Sequence, residues 1–246
     1  MAAFPIRIVL VATSHPGNIG AVARAMKNMD MHELVLVNPR EFPHAEATAR
    51  ASGADDLLAA ARVVDSVAEA LAGCGLVLAT TSRDRDHYFR VYDAREAAQR
   101  AVVESAQAPV ALLFGAERTG LTNDEVQYAH ALLRIPTSDV YASLNIAMAV
   151  QIIAYEILRA QRAVVPPTHR TQPLADAAAM ARLYEHLSTV LEDIDFRDRT
   201  QKGTSLMERI RRFLQRAELD VNEVNILRGI LTAVQQKRRR AGETTQ

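Results

Sequence analysis

The sequence predicts an α/β domain with a mostly parallel sheet and helices on both faces, followed by a small all-helical appendage. From residue 6 to about residue 162, short apolar runs alternate with segments of helical periodicity, which is typical of a parallel sheet. Beyond residue 173 there is no strand signal, and the apolar residues recur at helical spacing. The composition, 49% apolar and 24% charged, is that of a globular protein with a buried core.

Six short apolar runs are the predicted strands. They are nearly continuous in apolar residues, as expected when both faces of a sheet are covered by helices. They span residues 6–12, 33–37, 62–64, 76–80, 109–114 and 132–135. Helical spacing recurs between and after them over residues 19–29, 94–106 and 144–161.

A proline-rich stretch, VVPPTHRTQP, separates the α/β domain from the appendage. Its two adjacent prolines stop a helix and stiffen the connection. We therefore expect an α/β domain over residues 1–163, a linker over residues 164–173 and an appendage over residues 174–246. Within the appendage, helical periodicity covers residues 174–191, 205–217 and 221–237.

Charge is unevenly distributed along the appendage. Residues 173–195 contain five acidic residues and one arginine, whereas residues 197–240 contain twelve Lys or Arg against five Asp or Glu, an excess of seven positive charges. Such runs usually mark a solvated helix face, but an excess of this size also suits a phosphate backbone. Since the whole chain has a net charge of 0, nucleic-acid binding requires such a local patch. The candidate RNA-binding residues are Arg209, Arg211, Arg212, Arg216, Lys237, Arg238, Arg239 and Arg240.

Several classes of protein are excluded or disfavoured. The single cysteine, Cys74, cannot form a disulfide within the chain and is too few for a cysteine-ligated zinc site, so we expect a small buried residue and no metal. The N-terminal apolar run contains Arg7 and has no basic stretch before it, which indicates a strand and not a signal peptide. No apolar run approaches the roughly 18 residues needed to cross a membrane. We expect a cytoplasmic protein.

The first polar segment that is a candidate functional site, SHPGNIGAVAR, follows the first predicted strand directly. Its Pro-Gly pair predicts a turn, and Asn18 is a suitable helix N-cap. Gly20 and Arg24 then lie one turn apart on the same helix face, where the glycine would leave room for a ligand beside the arginine. The alternative is an ordinary capped helix with a solvent-exposed arginine.

Two standard nucleotide sites do not match this segment. The chain has no G-x-x-x-x-G-K-[ST], which excludes a P-loop. The spacing of Gly17 and Gly20 does not fit G-x-G-x-x-G, and the second strand ends in Val-Asn-Pro without the acidic residue that would bind a ribose. The common dinucleotide-binding interpretations therefore lose their main support.

The second polar segment, LFGAERTGLT, is residues 113–122. Gly115 and Gly120 bracket Glu117 and Arg118, and glycines permit positive φ angles or close approach of another backbone. This pattern predicts a shaped turn at the end of a buried strand. An ordinary turn with a surface ion pair is the alternative.

The third polar segment, YASLNIAMAV, precedes the helix predicted over residues 144–161. Ser143 is a plausible N-cap, and Asn145 would lie in the first turn of an otherwise apolar helix. Such a helix is most simply a buried core element.

In their order along the chain and in their residues, these three segments resemble the motifs of the SPOUT superfamily of RNA methyltransferases, in particular the TrmJ-type tRNA 2′-O-methyltransferases. The resemblance covers nearly the whole chain, and NILRGIL near the C-terminus is similar to the bacterial TrmJ branch. It implies a trefoil knot in the C-terminal part of the α/β domain and a homodimer whose active sites are shared between subunits. It also implies that S-adenosylmethionine methylates the ribose 2′-hydroxyl of cytidine or uridine at tRNA nucleotide 32.

The resemblance also implies roles for individual residues. It assigns cofactor binding to Thr80, Thr81, Ser82, Gly115, Glu117, Ile135, Ala142, Ser143, Leu144 and Asn145. It assigns catalysis to Arg24, Asn18, Ser143 and Glu117. Because a guanidinium stays protonated, we interpret Arg24 as a cation that stabilises the developing alkoxide. Glu117 would hold Arg24 or another basic group in place. His15 is the alternative general base, since its ordinary pKa lies near neutrality.

Two rival functions stay open at this point. The chain could be an RNA-binding protein that has the fold without the chemistry, although its Asn18, Arg24, Glu117, Ser143 and Asn145 match the motifs. It could also be a SPOUT enzyme that acts on ribosomal RNA with the same fold. The helical appendage and the NILRGIL segment favour tRNA, by resemblance.

Overall fold

The structure, a computed structural model, describes residues 5–82, 89–163, 172–196 and 206–243, with side chains described up to Arg238. Most of the predicted linker and the first residue of the predicted helix 205–217 lie outside these ranges. The strands are β1 (Ile6–Val11), β2 (Glu33–Val37), β3 (Arg62–Val64), β4 (Leu76–Thr80), β5 (Val91–Asp93), β6 (Val110–Phe114) and β7 (Ala131–Arg134). The helices are α1 (Pro16–Asn28), α2 (Ala45–Ala51), α3 (Asp55–Ala60), α4 (Val67–Ala70), α5 (Ala94–Ser105), α6 (Asn123–Val126), α7 (Ile146–Arg162), α8 (Ala177–Asp193), α9 (Leu206–Ala217) and α10 (Val221–Glu243).

The seven strands form one sheet in the order β3-β2-β1-β6-β4-β7-β5. Each neighbouring pair is parallel, so the carboxyl ends of all these strands lie at the same edge. The predicted parallel sheet is confirmed. β7 lies between β4 and β5, although it follows both in the chain. The trefoil knot stays a prediction.

Helices cover both faces of the sheet, as predicted. Alternate residues of β1 point to opposite sides, so Ile8 and Leu10 belong to one core while Val9 and Val11 belong to the other. The first core is closed by α1, α2, α3, α5 and α7, and the second by α4, α6 and the turns around them. This arrangement explains why the strands are continuous in apolar residues.

The predicted strands differ from the observed ones at their ends and in number. β5 was not predicted; it is three residues long, buries only Tyr92 and ends at Asp93, which caps the following helix α5. β1 ends one residue earlier than predicted, since Ala12 has a φ of 51° and leaves the extended conformation. β7 begins one residue earlier and ends one residue earlier than the predicted strand 132–135.

The appendage consists of α8, α9 and α10 packed around their own apolar core, which includes Leu183, Tyr184 and Leu214. The residues that attach it touch the amino ends of the strands. The Ala177 N–H donates to the Cys74 carbonyl over 3.2 Å, and the Gln215 side chain donates to the Tyr128 carbonyl over 3.1 Å. The appendage is therefore anchored at the end of the sheet opposite to the carboxyl ends of the strands.

One expectation for the start of the appendage is wrong. The helix predicted from residue 174 begins at Ala177, and Leu174 forms an isolated antiparallel bridge with Asp220. Leu174 is 3% exposed and belongs to the core of the α/β domain. Its burial there explains why the residue does not take part in the first turn of α8. None of the helices in the described ranges is long and apolar enough to span a membrane.

Candidate active site

A cleft lies at the carboxyl edge of the sheet, between the chain segments that follow β4, β6 and β7. The structure brings nine of the ten predicted cofactor-binding residues together in its lining: Thr80, Thr81, Ser82, Gly115, Glu117, Ile135, Ala142, Ser143 and Leu144. Asn145 is not in the lining. Ten further residues of the lining had not been assigned to the cofactor from the sequence: Phe114, Ala116, Arg118, Thr119, Gly120, Leu121, Leu133, Thr137, Ile146 and Ala149.

The turn after β6 has the tightly shaped conformation that its two glycines predicted. A Cβ atom at Gly115 would overlap the peptide between Gly120 and Leu121, so no other residue fits there. Gly120 has a φ of 66°, and its N–H donates to the Ala116 carbonyl over 2.8 Å. Leu121 is buried directly after it, which anchors the end of the turn in the core.

Glu117 projects from this turn and binds the loop that follows β1. One carboxylate oxygen accepts from the Ser14 N–H (3.0 Å) and the Ser14 hydroxyl (2.9 Å). The other accepts from the His15 N–H (3.3 Å) and the Asn18 side-chain amide (2.8 Å). The predicted alternative of a plain surface ion pair with Arg118 is therefore wrong, because this carboxylate is bound to the first polar segment. Ser14 is a site residue that the sequence reasoning missed, and its position directly after β1 was the available signal.

Asn18 and Asn145 extend this network to the third polar segment. The Asn145 amide donates to the Asn18 carbonyl oxygen over 3.1 Å, while the Asn145 carbonyl oxygen accepts from the Ala147 N–H over 2.9 Å. Asn18 therefore has both ends of its carboxamide bound, one by Glu117 and one by Asn145. All three polar segments are joined by side-chain hydrogen bonds.

The hydrogen bonds also determine the charge of Glu117. Partial burial raises the pKa of this carboxyl, but the hydrogen bonds from Asn18 and Ser14 outweigh it and hold the pKa below its usual value. Glu117 is consequently a carboxylate at neutral pH and acts as an acceptor in all four bonds.

Both predicted helix caps are wrong. α1 begins at Pro16 with His15 as its N-cap, whose Nδ1 accepts from the Gly17 N–H over 3.1 Å. α7 begins at Ile146 with Asn145 as its N-cap, in place of Ser143. In both cases a nearby residue with a side-chain acceptor provides the cap, which leaves Asn18 to bind Glu117 and Ser143 to line the cleft. The capping role of His15 also engages one of its ring nitrogens, which weakens the alternative that it is the general base.

Gly20 does not leave room for a ligand, contrary to the expectation. A Cβ atom there would overlap the Ala47 carbonyl, so the glycine allows α1 and α2 to pack closely. Arg24, one turn further along, is exposed and lies in a groove between α1 and α7. Leu144 lines both this groove and the cleft, so the two are adjacent.

Arg24 has no hydrogen bond or ion pair within the described residues, and the acceptors of Glu117 are occupied by other donors. The prediction that Glu117 holds Arg24 is therefore wrong. The groove around Arg24 is otherwise mostly apolar, lined by Ala21, Ala25, Asn28, Leu144, Ala147, Met148, Gln151 and Ile152. A free guanidinium in such a groove is available to an anionic group.

The predicted RNA-binding residues of the appendage differ in their contacts and in their exposure to solvent. The Arg211 guanidinium lies over the Tyr184 ring, 5.2 Å from its centroid, on the side of α9 that faces α8. Burial raises the pKa of the Tyr184 hydroxyl, so this ring is neutral. Arg216, Lys237 and Arg238 are exposed, and Arg209 and Arg212 are half-buried. The side chains of Arg239 and Arg240 lie outside the described residues. Within the described ranges, no group of three or more His, Cys, Asp or Glu residues is suited to hold a metal ion.

Two protein families match the chain. The SpoU rRNA Methylase family matches residues 5–155, and the family described as tRNA methyltransferase TrmJ, C-terminal domain, matches residues 178–244. A curated relative from Photorhabdus laumondii, named tRNA (cytidine/uridine-2′-O-)-methyltransferase TrmJ, is 46% identical over 235 residues, which cover 94% of this chain and 96% of the relative.

Solved structures agree with these matches. TrmJ from Z. mobilis ZM4 is 33% identical with a TM-score of 0.81, over 93% of this chain and 98% of that protein. An AdoMet-bound rRNA methyltransferase from Sinorhizobium meliloti is more distant, with 25% identity and a TM-score of 0.50, over 63% of this chain and 56% of that protein.

Proposed function

The chain belongs to the SpoU methylase family and to its TrmJ branch, and we propose that it uses S-adenosylmethionine to methylate a ribose 2′-hydroxyl of tRNA, that of cytidine or uridine at nucleotide 32. The observation that carries the proposal is the hydrogen-bonded junction of the three motif segments at one cleft. Family membership disfavours an RNA-binding protein without chemistry. The TrmJ relatives favour tRNA over ribosomal RNA, since they match both parts of the chain.

The lining of the cleft suits S-adenosylmethionine. Leu133, Ile135 and Leu144 offer apolar contact to an adenine ring, while the tight turns offer backbone groups and hydroxyls to the polar parts of the molecule. Bound there, the cofactor would supply a methyl group on a positively charged sulfur. We retain the nine predicted residues that line the cleft as its binding set, and Asn145 as a residue that supports them through Asn18.

The residues of the chain would position the acceptor ribose and stabilise the charge that develops on its oxygen. Asn18, held at both ends, is a rigid polar group beside the cleft, and Glu117 keeps it and the preceding loop in place. Arg24 would orient a phosphate and stabilise the incipient alkoxide, because it keeps its charge and has a planar fork of donors. Ser143, exposed in the cleft lining, would contact the same ribose or the cofactor.

We further infer that the active form is a homodimer in which a second copy covers the groove around Arg24. The groove carries exposed apolar side chains on α7, where Met148 is 62% and Ile152 is 36% exposed, and Tyr155 one turn beyond is 49% exposed. Apolar residues in such a continuous row are typical of an interface. Pairing there would bring Arg24 to a site shared between subunits. The trefoil knot and the cytoplasmic location stay predictions that accord with this assignment.

A transfer assay tests the proposed reaction. The full chain is incubated with methyl-tritiated S-adenosylmethionine and an unmodified tRNA transcript, and the nucleosides are separated by mass spectrometry. We expect one 2′-O-methylcytidine or 2′-O-methyluridine per tRNA, located at nucleotide 32 by nuclease mapping. A tRNA with a 2′-deoxyribose at that position is the control and should accept no label. Labelling of a base, or of ribosomal RNA alone, would contradict the proposal.

Sedimentation equilibrium tests the dimer. We expect the wild-type chain to be dimeric and Met148→Glu to be monomeric and inactive, because a charge would be buried in the interface. Val63→Glu is the matched control, since Val63 is an apolar residue of similar exposure, 52%, on the opposite half of the sheet. A wild-type monomer that transfers methyl groups would rule out the shared site.

A further inference from the structure

The outward face of α9 combines arginines with one exposed aromatic ring. Arg209, Phe213 and Arg216 are spaced by four and three residues, so they are neighbours on the same face, and Arg212 adjoins them. Phe213 is 59% exposed, whereas the next residue, Leu214, is 7% exposed and packs into the core of the appendage. The ring is therefore presented to solvent by a helix whose other face is anchored.

The charge around Phe213 indicates which kind of partner the ring contacts. α9 contains four arginines and one glutamate. The Arg211 guanidinium lies on Tyr184, Arg216 is exposed, and Arg209 and Arg212 are half-buried. A second copy of this face would bring like charges together, which disfavours self-association through it. An RNA strand supplies the opposite charge and also flat rings that stack on aromatic side chains.

We propose that Phe213 stacks on an unpaired base of the RNA substrate while Arg209, Arg212 and Arg216 bind the phosphates beside it. The inference rests on the proposed tRNA substrate and deepens it. In a duplex the faces of the bases are covered by their neighbours, and only a nucleotide in a loop or at an end presents its face to a protein. The appendage would thus recognise a single-stranded element of the tRNA and not only its charge.

Substitutions at position 213 in the full chain separate stacking from simple apolar contact. Binding of a tRNA transcript is measured by fluorescence anisotropy for wild type and for Phe213→Ala, Phe213→Leu and Phe213→Trp. Since stacking of one base typically contributes about 1–3 kcal/mol, we expect Phe213→Ala to raise the Kd by about 5- to 150-fold. We expect Phe213→Trp to bind like wild type, and Phe213→Leu to recover less than half of the loss on a logarithmic scale. Ile226→Ala, at an exposed apolar residue of 62% exposure on α10, is the matched control and should leave the Kd unchanged.

The salt dependence of binding distinguishes the ring from the arginines. Phe213→Ala should leave the slope of log K against log salt unchanged, whereas Arg216→Ala should reduce it by about 0.7–0.9. A fully paired RNA duplex should bind wild type and Phe213→Ala equally. The proposal is overturned if Phe213→Leu binds tRNA like wild type, if Phe213→Ala equals wild type, or if Phe213→Ala changes the sedimentation state at unchanged tRNA affinity.

The transfer assay shows which proposal fails when a result is negative. If wild type binds tRNA through Phe213 but transfers no methyl group, the proposed reaction is wrong and the stacking contact stands. If wild type methylates tRNA and Phe213→Ala does so with an unchanged KM for tRNA, the stacking contact is wrong and the reaction stands.

Discussion

Glu117→Gln tests the junction of the three motif segments with almost no change of side-chain shape. The carboxylate accepts four hydrogen bonds, two on each oxygen. A glutamine has one acceptor oxygen and an NH₂ group in place of the other, so in either orientation two donors lose their acceptor. The Ser14 hydroxyl can rotate to accept, which recovers one bond at most.

The expected fall in kcat/KM of Glu117→Gln follows from the number of hydrogen bonds that are lost. A hydrogen bond to a charged group contributes about 1.5–3 kcal/mol, and partial exposure of this site lowers that figure. The loss of one or two hydrogen bonds would destabilise the junction of the three motif segments by about 2 kcal/mol. This corresponds to about a 30-fold fall in kcat/KM. Ser14→Ala, which removes only the hydroxyl, is the graded control, with an expected fall of about 2- to 5-fold.

Methyl transfer at saturating cofactor is the assay, with hydrogen exchange of residues 13–18 as the structural readout. We expect Glu117→Gln to exchange faster in that loop. A variant with wild-type kcat/KM and wild-type protection would show that the carboxylate does not organise the site.

The pH dependence of the same contact has a definite sign. Because its hydrogen bonds hold the pKa of Glu117 below the usual value, the contribution of this carboxylate is complete above the unfolded pKa of about 4.3 and is lost as the pH falls through the lower, folded value. Loop protection should therefore be constant between about pH 5 and pH 8. A limb of the pH–rate profile in that range that disappears in Glu117→Gln would contradict this reasoning.

Three further outcomes are expected. Arg24→Ala should lower kcat by about 10²–10³-fold with an unchanged Kd for S-adenosylmethionine by calorimetry, and Arg24→Lys should recover little because lysine lacks the planar fork; an equal loss of cofactor affinity would refute the role. Burial raises the pKa of the Cys74 thiol to about 11, so native protein at pH 8 should not react with a thiol reagent although urea-unfolded protein does; rapid labelling of native protein would be inconsistent with that burial. Leu174→Ala should destabilise the chain by about 2–5 kcal/mol in urea unfolding, with Val63→Ala as the near-neutral control; equal stability of the two would mean that Leu174 is not part of the core.

The burial of Leu174 affects how the appendage can be studied. Deleting residues 173–246 would remove a core residue of the α/β domain together with the basic helices, so lost RNA binding and lost stability would coincide. Arg100 and Glu218 also form an ion pair of 2.7 Å between α5 and the turn before α10. Charge changes at exposed positions such as Arg216 in the full chain avoid this difficulty.

The class of the fold and the identity of the segments that meet at the site follow from the amino-acid sequence alone. Continuous apolar strands predict a sheet covered on both faces, because polar residues would otherwise alternate with apolar ones. Gly115 and Gly120 predicted a shaped turn, because few other residues accept a positive φ or such close approach. Strands of three residues are at the limit of such a prediction: β3 and β5 each bury one side chain, and the sequence predicted β3 but not β5.

The contacts of each polar side chain depend on how the elements of the folded chain pack together. Several residues near the start of α1 and α7 could act as the N-cap, and local sequence does not distinguish Asn18 from His15 or Ser143 from Asn145. The choice depends on partners 99 and 127 residues away, since Glu117 and Asn145 bind Asn18. In the same way Ala47, on another helix, fills the space beside Gly20. Such contacts are set by strand order and helix packing, so the sequence could identify the three segments and the packing alone could specify how they are joined.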